Sequence, residues 1–483
     1  MQPTLRLMTP ALTFVCLACG GPLEGDAALA PPELESTAQA IVRGDFVDPG
    51  SGTIGPAPSA ALAVPDATPH GSMTVVTPNP QQIALSKRNV WAPVPGISTV
   101  VRSRAGDNLA ITASLEVLGS NTYTYVRAVV DGVPAQPGSV SFKDPESFDG
   151  VRSFTFVVPG VTEGQHVVTL EAHTGNVVTE FRGRTMTVRS ASPTTGSTRL
   201  AVAAGAEGNP VSMFGSWTTI PGLTASITTD ATRNFVIHFS GDVYTTGRFF
   251  VRAVLDGAVL QDALFATNDA HSGARSYSFV ANNVAPGAHS VRIEGYGEGS
   301  PALVYARTMA VSAAPTSFDG GTGAVATERA AVSYGSAWTT VTEHAFITTL
   351  PNNSLAITVG GHVYGSGRLS ARVLLNDVVV GAGPVTLGES RNAWRGTAYT
   401  FVATNVPLGL HRLTFQVSSQ GTSYLADYFL TNEYRARAAT DLMKPYLSMS
   451  PRHQRPAALV ICFDPMRPAH ARPARAYLGE MIE

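Results

Sequence analysis

Three histidines stand at the same place in three related stretches of the sequence, and histidine is a frequent metal ligand and proton carrier. The stretches read RSFTFVVPGVTEGQH, RSYSFVANNVAPGAH and TAYTFVATNVPLGLH, and they end at His166, His289 and His411. Such a set could form one shared metal site, three separate ligand sites, or one structural device used three times.

The spacing of the histidines excludes a shared zinc site. They are separated by 123 and 122 residues, which is enough for a complete domain each time. A domain of that size has a radius of gyration of roughly 13 Å, whereas zinc ligands must lie about 2 Å from one ion. We therefore favour a structural role, with each imidazole bonded to the loop before its strand. A ligand contact in each domain is the alternative.

The elements that must position the histidines belong to a threefold internal repeat. The stretch FVIHFSGDVYTTGRFFVRAVLDGAVL, from Phe235, aligns without gaps with LAITVGGHVYGSGRLSARVLLNDVVV, from Leu355. The first copy, from Leu109, keeps the Arg and the Asp-Gly step but lacks the Tyr-x-x-Gly-Arg step. One tryptophan opens each copy: Trp91, Trp217 and Trp338. Units of about 110 to 120 residues are long enough to be complete domains.

Within each unit, apolar and polar residues alternate with a period of two, which is typical of strands with one buried face. Phe235, Ile237 and Phe239 form one such series, and Tyr277 and Phe279 alternate with serines. We predict an all-β protein of three tandem antiparallel β-sandwiches, immunoglobulin-like or jelly-roll in type. Their predicted limits are residues 81–192, 199–314 and 324–436.

Composition and motifs argue against several function classes. The chain is 44% hydrophobic, and its formal net charge of −2 gives no electrostatic argument for a nucleic acid or an anionic membrane as partner. It contains no His-Glu-x-x-His, Gly-x-Ser-x-Gly or P-loop motif. The GYGEG stretch from Gly295 is predicted to be a turn between strands, not a nucleotide loop. We predict no catalytic residue, no metal ligand set and no required cofactor.

Acidic residues before the repeated strand leave calcium as an alternative cofactor. Asp144, Glu146 and Asp149 lie in KDPESFDG, and Asp269 lies in TNDAHSG. Clustered carboxylates can hold calcium, but these loops share no spacing. Solvated turns are therefore the favoured interpretation.

The tryptophans are the candidates for ligand contact. An indole face suits the apolar face of a sugar, so Trp91, Trp217 and Trp338 could be stacking platforms. Because they are equivalent in the three units, shared packing positions are favoured. Trp394, in GESRNAWRG, has no counterpart in the other units and lies in a polar loop. It is the predicted ligand-contact residue.

The N-terminal segment is predicted to be an export signal. Residues 1–20 contain Arg6 and an apolar stretch from Leu7 to Ala18, which is too short to span a bilayer. The Ala-Cys-Gly step at Cys19 resembles the end of a bacterial lipobox, which implies lipidation; cleavage by an ordinary signal peptidase is the alternative. Residues 21–80 are predicted to be a flexible tether. Membrane contact is expected only through a lipid on Cys19.

The closing strands resemble those of a family of bacterial secreted proteins built from repeated sandwich domains. They follow the pattern aromatic-x-Phe-Val, Asn-Val-Pro, Gly-x-His-x-Val and then Arg-Thr-Met-x-Val. The stretches that begin at Arg275 and Arg307 show it, with Ala285 inserted before the proline. The resemblance implies an extracellular accessory module to which no chemistry is attached.

The C-terminal residues 437–483 depart from the repeat. Ala457 to Phe463 is a continuous apolar run, as in a strand buried on both faces, and ARAYLGEMIE has helical spacing. This incomplete α/β stub resembles the opening of the catalytic domain of secreted zinc metallopeptidases of the immune-inhibitor-A type. The resemblance implies that the chain is the non-catalytic N-terminal part of such an enzyme.

Together these observations predict an exported, non-catalytic protein of the bacterial envelope. It would lie at the cell surface, as an outer-membrane lipoprotein, or outside the cell. The leading hypothesis is surface binding or adhesion through loops at the sandwich ends, with an envelope polysaccharide or a surface protein as partner. The alternatives are an accessory region of a secreted peptidase and a structural spacer.

Overall fold

A computed structural model describes most of the three repeats and confirms the all-β sandwich class. The described residues are 73–76, 82–85, 90–119, 123–143, 150–175, 178–196, 198–205, 210–269, 273–315, 332–348, 353–381, 383–389 and 395–434. The predicted export signal with Cys19, the tether and the C-terminal stub lie outside these residues, apart from the short stretch 73–76 of the tether. Within them, no helix has the length and apolar character needed to cross a membrane.

Twenty-seven strands make up the described structure. Repeat 1 contains β1 (Met73–Val76), β2 (Ile83–Leu85), β3 (Ala92–Ser103), β4 (Asp107–Gly119), β5 (Thr124–Val130), β6 (Val133–Pro134), β7 (Val140–Lys143), β8 (Gly150–Val161), β9 (Gly164–Thr174) and β10 (Thr179–Ala191). Repeat 2 contains β11 (Arg199–Ala204), β12 (Val211–Met213), β13 (Thr218–Thr229), β14 (Arg233–Leu255), β15 (Ala258–Asp269), β16 (Ala274–Val284), β17 (Gly287–Glu298) and β18 (Ala302–Pro315). Repeat 3 contains β19 (Val332–Tyr334), β20 (Thr339–Thr348), β21 (Asn353–Gly365), β22 (Arg368–Leu375), β23 (Val378–Val379), β24 (Val385–Glu389), β25 (Arg395–Val406), β26 (Gly409–Gln420) and β27 (Ser423–Tyr434).

Each repeat is a two-sheet jelly roll. In repeat 1, sheet I has the order β1-β10-β4-β8, with β2 also on β10, and sheet II has the order β3-β9-β5-β7. The strands of repeats 2 and 3 pair in the same order. From β2 onwards the chain alternates between the two sheets, except that β5, β6 and β7 all lie in sheet II. This is the strand order of double-sheet jelly rolls. This resolves the choice that the sequence leaves open between jelly-roll and immunoglobulin-like sandwiches.

One long strand explains the Tyr-x-x-Gly-Arg step of the sequence. In repeat 2, β14 runs first through sheet I, on β16 and β18, and then through sheet II, on β15 and β17. Gly247 lies at the crossing, where a Cβ atom would clash with the carbonyl oxygen of Glu298. In repeat 3, Gly367 lies equally close to the carbonyl oxygen of Gln420. The glycine is needed because two backbones approach each other at this point.

The inner faces of the two sheets form one apolar core in each repeat. Phe239, Phe249 and Phe265 pack together in repeat 2, with ring centroids 4.9 and 6.1 Å apart. All three rings are fully buried, and burying a side chain of this size contributes about 1.5–3 kcal/mol. The chain contains no disulfide among the described residues, so this packing holds each sandwich together.

The outer faces of the three sheets I pack against one another. The edge strand β8 of repeat 1 has its free backbone groups bonded by hydroxyls of repeat 2. The Thr155 amide donates to Ser240 Oγ at 3.0 Å, and the Thr155 carbonyl oxygen accepts a bond from Thr308. These residues are at most 2% exposed. The polar face of the sheet therefore meets another sheet instead of water.

The same contact recurs between repeats 1 and 3. The Thr400 amide, at the edge of repeat 3, donates to Ser114 Oγ at 3.2 Å, and its carbonyl oxygen accepts from Thr185 Oγ1 at 2.8 Å. Between repeats 2 and 3 the hydroxyls are replaced by rings: Tyr277 stacks on His362 and donates to the Asp427 carbonyl oxygen at 3.0 Å. Repeat 2 thus covers the edge strand of sheet I in repeat 1. In the same way, repeat 1 covers the edge of repeat 3, and repeat 3 covers the edge of repeat 2. The three jelly rolls close into a ring.

Residues from the three repeats meet at the centre of this ring. Arg189, Ser312 and Glu433 occupy the same position of the last strand in repeats 1, 2 and 3. Arg189 Nη1 lies 2.6 Å from Glu433 Oε1 and also bonds Ser312 Oγ. His238 of repeat 2 adds a fourth group, with Nε2 at 3.3 Å from Glu433 Oε1. We call these four residues the axial cluster.

The charges of the axial cluster make the ring sensitive to acid. Burial alone would raise the pKa of Glu433, but the charge of Arg189 and the bond from His238 outweigh it and lower the pKa to about 2. Burial lowers the pKa of His238, although its bond to Glu433 opposes this. Both groups have ordinary pKa values in the unfolded chain, which therefore takes up more protons as the pH falls. The stabilisation is complete near neutral pH and is lost progressively between about pH 6.5 and pH 2.

We expect Gly247→Ala to lower the free energy of unfolding by about 1–3 kcal/mol, because the added methyl group has no room beside Glu298. Gly335→Ala is the matched control, since a Cβ atom there meets nothing within 4 Å. Urea unfolding followed by tryptophan fluorescence measures both. Equal stability of the two variants would contradict the close backbone approach.

We expect Glu433→Gln to cost about 3–5 kcal/mol at pH 7, because Arg189 loses its carboxylate while it stays buried. The same variant should lose less stability than the wild type between pH 7 and pH 3. The control is Glu298→Gln, whose partner Arg248 is 61% exposed, so its cost should stay below about 1 kcal/mol. Urea unfolding at the two pH values tests this, and similar costs for both variants would rule out the axial cluster as a buried ion pair.

Candidate binding surface

The three repeated histidines each bond within their own repeat. His166 Nδ1 lies 2.6 Å from Asp131 Oδ2, and its Nε2 lies 3.0 Å from the Thr162 carbonyl oxygen. His289 repeats the arrangement with Asp256 at 2.7 Å and the Ala285 carbonyl oxygen at 2.9 Å. The carboxylates also accept a bond from the backbone amide that follows each histidine. Each imidazole therefore joins the start of one strand to a hairpin and to the preceding loop.

The third histidine keeps the contact with an amide in place of the carboxylate. Asn376 Nδ2 donates to His411 Nδ1 at 2.9 Å, and Nε2 lies 2.8 Å from the Pro407 carbonyl oxygen. Asn376 has φ 51°, and the equivalent Asp131 and Asp256 have φ 50° and 51°, which Asn and Asp tolerate in hairpin turns. In the part of the chain that the structure describes, no group of three or more His, Cys, Asp or Glu is placed to hold a metal ion.

An arginine side chain stacks on each of the three repeated tryptophans on the outer face of sheet II. The guanidinium carbon of Arg127 lies 4.2 Å from the ring centroid of Trp91. Arg252 lies 4.3 Å from Trp217, and Arg372 lies 4.3 Å from Trp338. All three indoles are half-buried. Because the stack occurs in every repeat, we assign it to the scaffold of sheet II, where a cation over an indole adds about 0.5–1 kcal/mol.

Two repeats extend the tryptophan into a row of aromatic rings across sheet II. In repeat 1 the row is Trp91, His173, Tyr125 and Tyr123, with neighbouring centroids 5.5, 6.3 and 6.0 Å apart. In repeat 2 it is Trp217, Tyr296 and Phe250, with centroids 5.6 and 5.9 Å apart. All are half-buried except Tyr123, which is 49% exposed. We call these two sets row 1 and row 2.

Strand pairing places the aromatic residues of each row side by side. Tyr125 pairs with His173 on β5 and β9, and Phe250 pairs with Tyr296 on β14 and β17. In repeat 3 the corresponding pair is Ser370 with Ser418, so among the described residues this pair does not continue an aromatic row from Trp338. The jelly roll of repeat 3 forms without these rings. The extra aromatic residues of rows 1 and 2 are therefore not required by the fold.

Paired charges border both rows. Arg127 Nη2 lies 2.7 Å from Glu171 Oε2, and Arg252 Nη2 lies 2.6 Å from Glu294 Oε2. Burial alone would raise the pKa of Glu294, but hydrogen bonds from Arg252 and Arg292 outweigh it and keep the pKa below its ordinary value. Each row thus has planar guanidinium donors and carboxylate acceptors beside its rings. In repeat 3 the arginine bonds the neutral Gln416 instead.

Some residues selected from the sequence fall outside the described structure. Trp394 and the acidic residues Asp144, Glu146 and Asp149 lie there, and the side chain of Asp269 is not described. The strand ends beside these segments lie at contacts between repeats. The backbone at Gly150 faces that of Thr386 and Gly388 in repeat 3, and Arg395 pairs with Ala266 of repeat 2. The roles predicted for these residues stay predictions.

The prediction of a turn at GYGEG was wrong for its first four residues. Gly295 to Glu298 continue strand β17, and this places Tyr296 in row 2. The glycines are there because of close packing: a Cβ at Gly297 would clash with the Met213 carbonyl oxygen, and one at Gly295 would press on the Phe249 ring. The period of two, continued through alternate glycines, was the signal that could have identified Tyr296.

No protein-family profile and no curated protein matches the chain. Among solved structures, it is similar to PNGase F, a glycosylasparaginase from Flavobacterium meningosepticum, with 8% identity over 49% of this chain and 96% of that chain and a TM-score of 0.27. It is also similar to the VP2 subviral particle of infectious bursal disease virus, with 9% identity over 80% and 90% and a TM-score of 0.17. A third is the CBM22-1-CBM22-2 tandem domain from Paenibacillus barcinonensis Xyn10C, with 12% identity over 51% and 98% and a TM-score of 0.14. TM-scores this low carry no argument about fold or function.

We expect His289→Ala to destabilise the chain by about 1–3 kcal/mol, because it removes two hydrogen bonds and the edge contact with Phe235. The control is Ser290→Ala, since Ser290 bonds Asp256 through its backbone amide and carbonyl groups, which the substitution keeps; its effect should stay within about 0.5 kcal/mol. Thermal unfolding with and without zinc chloride measures both effects. A rise in Tm with zinc in the wild type that is lost in His289→Ala would contradict the structural role.

Proposed function

We propose that this chain is an exported, non-catalytic binding protein of the bacterial envelope that binds carbohydrate through rows 1 and 2. The observation that carries the proposal is the contrast between repeats. The Arg–Trp stack is present in all three, but among the described residues the additional rings of sheet II occur in repeats 1 and 2 and are replaced by serines in repeat 3. Partly exposed rings that the fold does not need are best explained by a ligand.

The chemistry of the rows suits a sugar. Aromatic rings accept the apolar C–H face of a pyranose, and the Arg–Glu pairs offer both donors and acceptors to its hydroxyl groups. These pairs are fixed in place by one another, at 2.7 Å in repeat 1 and 2.6 Å in repeat 2. Little side-chain freedom is lost when such groups bind, which favours affinity.

The charges beside row 2 argue for binding without hydrolysis. A glycosidase needs a carboxylic acid whose raised pKa lets it donate a proton to the leaving group. Glu294 has the opposite property, because Arg252 and Arg292 keep it ionised. The export signal, the tether and the lipid on Cys19 would present the rows outside the cell, and the loops that contain Trp394 remain a second proposed contact.

The test replaces the paired aromatic residues of each row by serine, the residue that repeat 3 has at these positions. The row-1 variant is Tyr125→Ser with His173→Ser, and the row-2 variant is Phe250→Ser with Tyr296→Ser. Affinity electrophoresis is run in gels that contain a neutral glucan, a uronic-acid polymer or extracted bacterial envelope polysaccharide. The wild type should be retarded by at least one of them. The combined four-substitution variant should bind that polymer at least tenfold more weakly with nearly unchanged Tm, since tenfold corresponds to about 1.4 kcal/mol.

Trp338→Ala in repeat 3 is the matched control. It removes a scaffold stack where no aromatic row exists, so it should lower the Tm and leave retardation unchanged. Equal retardation of the wild type and the four-substitution variant would overturn the proposal and favour a spacer. Binding of whole cells that is abolished by surface proteolysis, without any retardation by polysaccharide, would indicate a protein ligand instead.

A further inference from the structure

The ring fixes the directions in which rows 1 and 2 point. The outer faces of the three sheets I are turned towards the centre, where Arg189, Ser312 and Glu433 meet. In a sandwich the two outer faces point in opposite directions, and the sheets lie about 10 Å apart. The outer faces of the three sheets II therefore point away from the centre, each on its own side of the ring. Rows 1 and 2 lie on two different sides.

The contacts between repeats hold the rows in these directions. The Thr386 amide of repeat 3 donates to Glu116 Oε1 of repeat 1 at 3.2 Å, and the Ser141 amide of repeat 1 donates to Asp242 Oδ2 of repeat 2 at 3.4 Å. Glu116 and Asp242 are the same position of the repeat, and both are less than 8% exposed. Domains joined only by linkers can turn both sites to one surface, whereas these buried contacts prevent such rotation.

From this geometry we infer that the chain cross-links polysaccharide. The inference rests on the proposed function and adds to it: row 1 and row 2 bind two separate polysaccharide strands and join them. A single glycan strand would have to bend around the body of the ring to reach both rows. Among the described residues two such rows are present, because Ser370 and Ser418 replace the aromatic pair in repeat 3.

Bivalent binding has a consequence that a single site cannot produce. A bivalent protein with sites on different sides builds a network with a polymer that carries many copies of the ligand. The network is densest at an intermediate ratio of protein to polymer. With excess protein, each ligand copy is occupied by a separate molecule, and the network dissolves.

The experiment is a turbidity titration of the retarding polysaccharide with full-length protein. The wild type should give turbidity that rises and then falls as protein is added. The row-1 variant and the row-2 variant should each still be retarded in the affinity gel but give no turbidity. Placing aromatic residues in repeat 3 of the row-2 variant, by Ser370→Phe with Ser418→Tyr, should restore turbidity. The Tm of every variant is measured to confirm folding.

The outcomes separate the two proposals. Retardation of the wild type without turbidity at any ratio would overturn cross-linking and leave the proposed function intact. Turbidity that is equal in the wild type and both single-row variants would also overturn it, because one row would then suffice. No retardation of the wild type by any of the three polysaccharides would overturn the proposed function, and cross-linking with it.

Discussion

The backbone groups of a sheet's edge strand need hydrogen-bond partners, and the architecture depends on how this chain supplies them. An open edge invites pairing with other chains. Here the hydroxyls of one repeat bond the edge amide and carbonyl of the next, as Ser240 and Thr308 do for Thr155. Serine and threonine side chains are small enough to let two sheet faces approach. Their hydroxyls can hydrogen-bond both the amide and the carbonyl groups of an edge strand. This solution buries all three sheets I and leaves the three sheets II as the exposed faces.

The three interfaces of the ring are built from different contacts. Two interfaces use hydroxyls, whereas the third places Tyr277 against His362 and Phe429. At this interface Gly360 stands where repeat 2 has Ser240, and Phe429 stands where it has Thr308. The loss of one hydroxyl that accepts from the edge amide and one that donates to the edge carbonyl is thus compensated by apolar and stacking contacts. A Cβ at Gly360 would clash with the Phe429 ring, so the glycine and the phenylalanine depend on each other.

The sequence predicts the strands well and their assembly poorly, for a physical reason. The alternation around Phe235 and the Asp-Gly hairpin after Leu255 are local signals, and the observed strands and turn follow them. The order of strands in a jelly roll depends on pairings between distant segments, which no local pattern records. The period-two pattern also shows that Ser276 and Ser278 lie on the same face of their strand. It does not show what that face packs against. Their burial against another repeat could be found only from the structure.

The candidate surface was predictable only in part. Trp91, Trp217 and Trp338 can be picked out because they repeat, but the arginine over each ring comes from another strand. Its position depends on the register of sheet II, for example the pairing of Arg127 with Glu171. Tyr296 was placed in a turn because its glycine neighbours suggest one. Strand pairing, not residue type, made these residues a row.

The different residues at the ring centre also limit how the gene can change. A homotrimer of one jelly roll would bring three identical side chains together at its axis, so three arginines or three glutamates would repel one another. Here duplication has been followed by specialisation: Arg189, Ser312 and Glu433 each need the other two. The copies are no longer interchangeable. Recombination that deletes repeat 1 or repeat 3 would leave a buried charge of the axial cluster without its partner, so loss of either copy should destabilise what remains of the ring.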